Sequence, residues 1–372
     1  MRSIAKLMKD WQFTGPNGVT AAVALPHTWN AKDGQDGGND YWRGTCTYRT
    51  GFAAPVFDPA QQQVWLQFEG VNASATVLLN GQPLCTHDGG YSTFRAEITG
   101  LLQAENQLTV QVDNSVNDRV YPQKADFTFY GGIYRDVSLL VVNKNHIALG
   151  HFGDTGVKIT PALKEGSADI QVETLVEGEG TVTVELLDAE GSTVAKGEGE
   201  KTSLHLDAPH LWNGVKDPYL YTCVVRLMQD GKPVDEVTTK VGLRSFSVDA
   251  KKGFFLNGKP YPLHGVSRHQ DQGSGQRHHP GDARRGYGAD PGVGRKHRPA
   301  GALPARPVFL RPVRPVRHGG LGRDPLYLGA PAQRPGKHHQ PDERADLPEL
   351  QPPLHRLLGR VQRDHHLHQG QG

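Results

Sequence analysis

Residues whose types could bind a polar ligand fall in four places along the 372-residue chain. In Ala125–Tyr130 one carboxylate, Asp126, stands among Phe127, Phe129 and Tyr130. Aromatic rings suit the apolar face of a pyranose, and a carboxylate between them suits its hydroxyl rim. A lone Asp in that setting can equally cap a turn. The loop Ala31–Asp40 holds three Asp and three Gly and no apolar residue except Ala31. It can fold tightly and offer carboxylates to hydroxyls, although a solvated loop is the plainer account of any single residue there. A calcium loop is excluded, because the bidentate Glu of the twelfth position is missing. Asn114 follows a strand, where Asn is usually a turn former, and is the weaker sugar contact. Finally, in Gly265–His269 small residues let a strand end approach another backbone, and Arg268 and His269 project beyond it.

The elements that must position these groups are strands. Val64–Phe68 and Ala75–Leu79 flank a polar break, Glu69–Ser74, and Asn80-Gly81 makes a tight turn. Gln107–Val112 alternates cleanly, and Ile133–Val142 reads as one long closing strand. Helical periodicity of useful length is missing, so Met1–Val142 is expected to be a β-sandwich or jelly roll. Asn143–Asp249 reads as a second sandwich of immunoglobulin-like length. There Ala168–Val176 and Thr181–Leu187 alternate, Asp188–Gly191 and Asp230-Gly231 are turns, and Tyr219–Met228 is a central strand. Residues 250–272 begin with a hairpin, two apolar runs joined by Asn257-Gly258.

Six landmarks in the first segment carry a family resemblance: Leu25–Asn30, Gly37–Arg49, Phe68–Gly81, His87–Thr99, Val112–Ser115 and Tyr130–Leu139. With the run FLNGKPYPLHGVSRHQD around the hairpin, they resemble glycoside hydrolase family 2, and in particular its β-galactosidases. The resemblance implies a jelly-roll sugar-binding domain, an immunoglobulin-like sandwich, and the start of a (β/α)8 catalytic barrel at residues 250–272. It implies that Asp126, seven residues before Ile133, binds galactose and a sodium ion, and that His269 lies at the sugar site. Asn114 is the weaker candidate for a further substrate contact. In His210–Tyr221 it implies that Trp212 and Pro218 pack at the base of the second sandwich. Sodium and magnesium are cofactors implied for the intact family member, and none is expected of this chain.

Composition splits the chain in two. From Gly273 to Gly372 there are 17 Lys and Arg against 8 Asp and Glu, a charge of +9, whereas the first 272 residues carry −7. In that tail Arg, Pro, His and Gly make up 55 of 100 residues, and Ile, Asn, Thr, Met, Cys and Trp are absent. Such a stretch cannot bury enough apolar surface to offset chain entropy, and disorder is expected. Its arginines are not interleaved with stacking aromatics, nor do its His pairs repeat a ligand spacing, so neither nucleic acid nor metal is expected as a partner. Cys46, Cys85 and Cys223 imply no disulfide framework. The amino terminus lacks the apolar run of a secretory signal and no stretch is long enough to span a bilayer, so a cytoplasmic location without membrane contact is expected.

The tail reads better as the family's barrel in a shifted frame. One base later, each hidden codon takes its first and third bases from the shown residues and leaves the middle base free. Gln362–His366 then permits Asn-Glu-Ile-Thr-Ile, and Lys296–Pro304 permits NTVRLAHYQ. Both resemble family segments, and the Asn-Glu carries the acid/base carboxylate. As written, Arg363 stands at that Glu, and the family's nucleophile would lie beyond Gly372. The expectation is therefore a β-galactosidase fragment, an enzyme by descent that is inactive as this chain, whose partners are β-galactosides and whose intact form can be oligomeric. A non-catalytic carbohydrate-binding β-protein and a basic-tailed adaptor are the alternatives. Sequencing the DNA across codons 268–278 should reveal a single-base insertion or deletion, and codons 362–363 should give Asn-Glu one base later. A stop at once in that frame would remove the account.

Overall fold

The computed structural model describes residues 1–31, 41–121, 128–150 and 153–263. Asp126, nearly all of the 31–40 loop, His269 and the tail from Gly273 lie outside them. Among the described residues the chain is β throughout, apart from one 3-10 turn at Thr99–Leu101. No helix there is long and apolar enough to cross a membrane.

The first sandwich faces a four-stranded sheet against a six-stranded one. The smaller is ordered Ser3–Lys6, Val137–Asn143, Gln62–Phe68, Phe94–Glu97. The larger is ordered Thr20–Val23, Trp11–Thr14, Thr45–Ala53, Glu105–Asp113, Ser74–Leu79, Gln82–Asp88. Alternation decides the core. In Thr45–Ala53 and Glu105–Asp113 every second residue is buried, which sends Tyr48, Phe52, Leu108 and Val110 inward. They meet Leu66 and Phe68 from the other sheet, and Phe68 stacks on Phe94 with centroids 4.8 Å apart. At about 25 cal/mol per Å2 of apolar area removed from water, these inward faces supply the main drive to fold.

The expected single strand over Ile133–Val142 is two strands in different sheets. Gly132–Ile133 pairs with Val71–Asn72, while Val137–Asn143 pairs with Gln62–Phe68. Between them Tyr134 turns inward to donate to the Gly90 carbonyl, and Arg135 reaches the carbonyls of Glu69 and Tyr91. Those contacts use polar groups that a continuous ladder would leave elsewhere. Val137–Asn143 is buried along both faces, unlike its neighbours. Val137, Leu139 and Val141 enter the first core, whereas Leu140 and Val142 pack with Leu149 and Trp65 beneath the second sandwich. A strand covered on both sides is expected to read as an unbroken apolar run, as this one does.

The second sandwich has a three-stranded sheet, Val157–Lys164, Ser167–Thr174, Lys201–Asp207, against a four-stranded one, Thr193–Glu198, Thr181–Leu187, Tyr221–Gln229, Lys232–Val241. Ile170, Val184, Leu186 and Val225 fill the space between them. A third sheet, Phe246–Asp249, Gly253–Leu256, Lys259–Pro260, follows. The Asn80-Gly81, Asp230-Gly231 and Asn257-Gly258 turns all have positive φ at both residues, the conformation expected of two-residue hairpin loops. All three cysteines are free. Burial pushes the thiols of Cys46 and Cys223 up to about 12, which keeps them protonated and inert.

Two half-buried cations tie the sandwiches together. Arg95 donates to Gln67 at 2.7 Å and to the carbonyls of Leu149 and Asp154 at 2.8 and 2.7 Å. Arg2 grips Asp235 through Nε at 2.7 Å and Nη2 at 2.5 Å, and Asp235 also accepts the amide N–H groups of Ile147 and Glu236. The Asp235 side chain is fully buried, so removing it strands Arg2 and the Ile147 N–H together. Asp235→Ala should cost about 3–5 kcal/mol. By contrast, Lys6→Ala should cost within about 1 kcal/mol, because its partner Asp136 is met at an exposed surface pair. Urea unfolding midpoints of the two variants check the contrast.

Candidate functional site

The two loops singled out by their sugar-suited residues leave the first sandwich at the same end. Asn30 and Ala31 precede one and Tyr41 to Arg43 follow it, while Val120 and Tyr121 precede the other and Thr128 and Phe129 follow it. Their roots are held by one buried amide network. Asn30 Oδ1 accepts from the Gly131 N–H at 2.8 Å and from Asn114 Nδ2 at 3.1 Å, and Asn30 Nδ2 donates to the Trp42 carbonyl at 2.8 Å. Asn114 Nδ2 also donates to the Phe129 carbonyl at 2.8 Å, while its Oδ1 accepts the Gly44 N–H at 2.9 Å. Thr28 Oγ1 donates to the Gly131 carbonyl, and Asn72 Nδ2 to that of Tyr130.

Irregular backbone at a sheet end leaves N–H and C=O groups without ladder partners, and buried ones must be satisfied by side chains. Asn supplies two donors and an acceptor on a short stem, which is why Asn30, Asn72 and Asn114 stand where the strands stop. All three are buried. The network also requires close approach. A Cβ on Gly131 would lie 1.9 Å from the Trp29 indole, and one on Gly90 would lie 2.1 Å from Asn72 Oδ1. Both positions therefore exclude a side chain.

Around this frame the rings and charges are ordered. Arg43 donates from Nε to the Asn114 carbonyl at 2.7 Å, and its guanidinium sits 4.7 Å from the Phe129 ring centroid. Phe13 stacks on Trp29, and Trp29 meets Trp42 edge-on. Asp88 accepts from Ser74 at 2.6 Å and Arg119 at 2.8 Å, pinning the segment after Asn114. Burial pushes its carboxyl up, but those hydrogen bonds outweigh it and hold the group below its ordinary value. A lowered carboxylate adds stability above the unfolded value near about pH 4 and loses it as pH falls through the folded one, so this pin is intact at neutral pH.

A cleft lined by Arg43, Asn72, Tyr91, Asn117, Tyr121 and Phe129 opens beside the frame. Ala73, Ser115, Val116 and Val120 complete the lining. No carboxyl group, which acid–base work on a glycosidic bond requires, is among these lining residues. No group of three His, Cys, Asp or Glu among the described residues is placed to hold a metal.

Of the sequence-derived candidates, Asp126 and His269 lie outside the described residues, as does the acidic part of the 31–40 loop. Asn114 is described and fully buried, and both hydrogens of its amide are committed to protein acceptors. Its part here is to join the two loop roots. Asn30, Asn72 and Thr28 were not singled out by residue type. The sequence signal for them is indirect: an Asn directly after Trp29, and a Gly pair directly after two aromatics.

Comparison with known proteins places this geometry. Residues 35–162 match the domain described as glycosyl hydrolase 2 galactose-binding domain-like, and residues 151–244 match glycosyl hydrolases family 2. A β-glucuronidase of Bacteroides fragilis is 36% identical over 289 residues, covering 72% of this chain and 41% of that protein. A β-galactosidase of Bacteroides ovatus is 32% identical over 305 residues, covering 71% of this chain and 34% of that protein. Among solved structures, an FMN-binding β-glucuronidase from Faecalibacterium prausnitzii L2-6 superposes with a TM-score of 0.79 at 34% identity. A putative β-galactosidase from Bacteroides fragilis does so with 0.78 at 33%. The chain covers 51% and 52% of those two chains and they cover 85% and 86% of it. It thus spans between about a third and about half of the length of these relatives.

Asn114→Ala should leave the Gly44 N–H and the Phe129 carbonyl unpaired in a buried setting. At about 1–3 kcal/mol for each buried group so orphaned, the loss should be readily seen in thermal unfolding. Asn114→Asp, which loses both donors and sets a buried carboxylate against the Asn30 and Phe129 oxygens, should cost more than Asn114→Ala.

Proposed function

Because the chain belongs to glycosyl hydrolases family 2, whose amino-terminal domains it carries, we propose that the complete protein hydrolyses terminal β-D-galactosides with retention of configuration. One carboxylic acid protonates the leaving oxygen, and a second carboxylate about 5 Å away attacks the anomeric carbon. Water then releases the sugar, with the first group acting as base. In this reading the present chain contributes the sugar-positioning side of the site, with Asp126 and His269 as hydroxyl contacts and Asp126 also toward sodium. The shifted frame after Gly273 withholds the acid/base Glu, so the chain as written turns over no glycoside.

The observation that carries this reading is the convergence of two loop roots on one buried amide frame. The shared frame fixes where the two loops begin and end, and fixed geometry is what orientation of a substrate requires. A β-glucuronide is the second reading for the sugar. It is favoured by the β-glucuronidases at 36% and 34% identity.

The test uses the complete protein with the frame restored. Chromogenic β-galactoside should be cleaved with the higher kcat/KM, Asp126→Ala should lower that value by at least about 100-fold, in the range of losing an oriented charged contact, and the chain as written should be inert. A higher kcat/KM on β-glucuronide would transfer the substrate assignment to the second reading. Turnover of neither would remove the hydrolase reading.

A further inference from the structure

Arg244 is a cation without a counter-charge. It follows the last strand of the second sandwich, in the segment that leads to the three-stranded sheet of residues 246–260. Its guanidinium lies over the Trp212 ring, 5.1 Å from the centroid, and Nη1 makes one long hydrogen bond, 3.3 Å, to the Gly242 carbonyl. Its Nε is buried with no partner. Among the described residues no carboxylate lies within ion-pair distance of it. Burial pushes its pKa down, and no neighbouring charge offsets that. Arg135, more deeply buried, donates Nη1 to the carbonyls of Glu69 and Tyr91, and other arginines of the two sandwiches also have oxygen acceptors. Arg2 has Asp235, Arg95 has three oxygen acceptors, and the half-buried Arg226 has Glu185 and Glu236.

A half-buried guanidinium with an orphaned Nε donor is costly, and native proteins keep such a group where something else completes it. The surroundings point to where that partner comes from. The register Phe246↔Leu256 and Val248↔Phe254 places these four side chains on one face of the three-stranded sheet. Phe246 stacks on Phe254, and Tyr261 meets Phe254 edge-on. Only Leu256 of this group is buried, and the others stay half-exposed. The sheet itself is anchored from the sandwich side. Asn257 Nδ2 donates to the Trp212 carbonyl and to Asn213 Oδ1, and the Val215 N–H donates to the Tyr261 hydroxyl. An apolar half-covered face and an unpaired cation thus sit together on a rigid support. The described residues of this segment end at Leu263, which is itself 38% exposed. The solved relatives continue, since this chain covers about half of theirs.

We propose that Arg244 with Trp212, and the Phe246–Phe254–Tyr261 face beside them, form the docking surface for the domain that follows Leu263 in the complete protein, and that this domain presents a carboxylate to the Arg244 guanidinium. The inference rests on the reading that a hydrolase domain follows the hairpin. A carboxylate is the chemistry that fits. It accepts two parallel N–H bonds from the planar fork, and it neutralises a charge that docking would bury further.

The experiment compares Arg244→Met and Arg244→Lys in two proteins, the chain as written and the complete protein with the frame restored. In the chain as written, Arg244→Met should leave the thermal midpoint unchanged or raise it, because an unpaired half-buried charge is replaced by an apolar group of similar length. In the complete protein the same change should lower the midpoint. It should also speed proteolytic cleavage after residue 263 at least tenfold, with Arg244→Lys partly restoring resistance. A lowered midpoint in the chain as written would show that the cation is already satisfied there and overturn the proposal. Equal behaviour of Arg244→Met and wild type in the complete protein would overturn it too. Hydrolysis by the complete wild-type protein is read separately, so failure of the enzymatic reading is distinguishable from failure of the docking reading.

Discussion

Asn30 Oδ1 accepts two N–H groups at once, from Gly131 and from Asn114, and the loop end of the first sandwich depends on that shared acceptor. Each donor belongs to a different stretch of chain. Asn114 closes the strand from Glu105, and Gly131 opens the return toward the strand from Val137. Without the acceptor, two buried N–H groups would face each other with nothing between them. With it, the strand ends on either side of both sugar-suited loops are set relative to one another. Trp29 and Gly131 add the steric half of the constraint, since the indole lies where a Cβ would be.

The same logic governs the joint between the two sandwiches. Val137–Asn143 has no solvent face: Val137, Leu139 and Val141 enter the first core, while Leu140 and Val142 form a separate small cluster with Leu149 and Trp65. Dispersion and hydrophobic burial hold the layers together but are indifferent to small slides. The directional contacts remove that freedom. Arg95 reaches two carbonyls of the second sandwich, and Asp235 of the second sandwich receives Arg2 from the first strand. A site whose loops stand on one sandwich and whose onward chain leaves from the other requires this joint to be stiff.

Strands, turns and both cores were legible in the sequence because their causes are local. Period-two alternation in Thr181–Leu187 and Asn-Gly or Asp-Gly pairs at the hairpins need no knowledge of distant residues. The break inside Ile133–Val142 was not legible, since it is set by Gly90 and Tyr91, more than forty residues earlier in the chain. Asn114 shows both sides of the matter. Its residue type marked it as a polar group at a strand end, yet whether its amide meets a sugar or three protein groups depends on Asn30, Gly44 and Phe129, which only the fold assembles.

The sequence by itself determined that residues up to about 263 make β-sandwiches and a hairpin, that the cysteines carry no framework, and which family's landmarks stand in order. Those properties follow from local periodicity, turn chemistry and contiguous motifs. Only the tertiary structure decided that two separated loops share one buried root, that Val137–Asn143 is packed on both faces, and that Arg2 meets a carboxylate while Arg244, among the described residues, meets a ring and a carbonyl but no carboxylate. The physical reason is that burial and hydrogen-bond satisfaction are properties of neighbours in space. A sequence gives each polar group its donors and acceptors, and the packed chain alone settles which of them find one another.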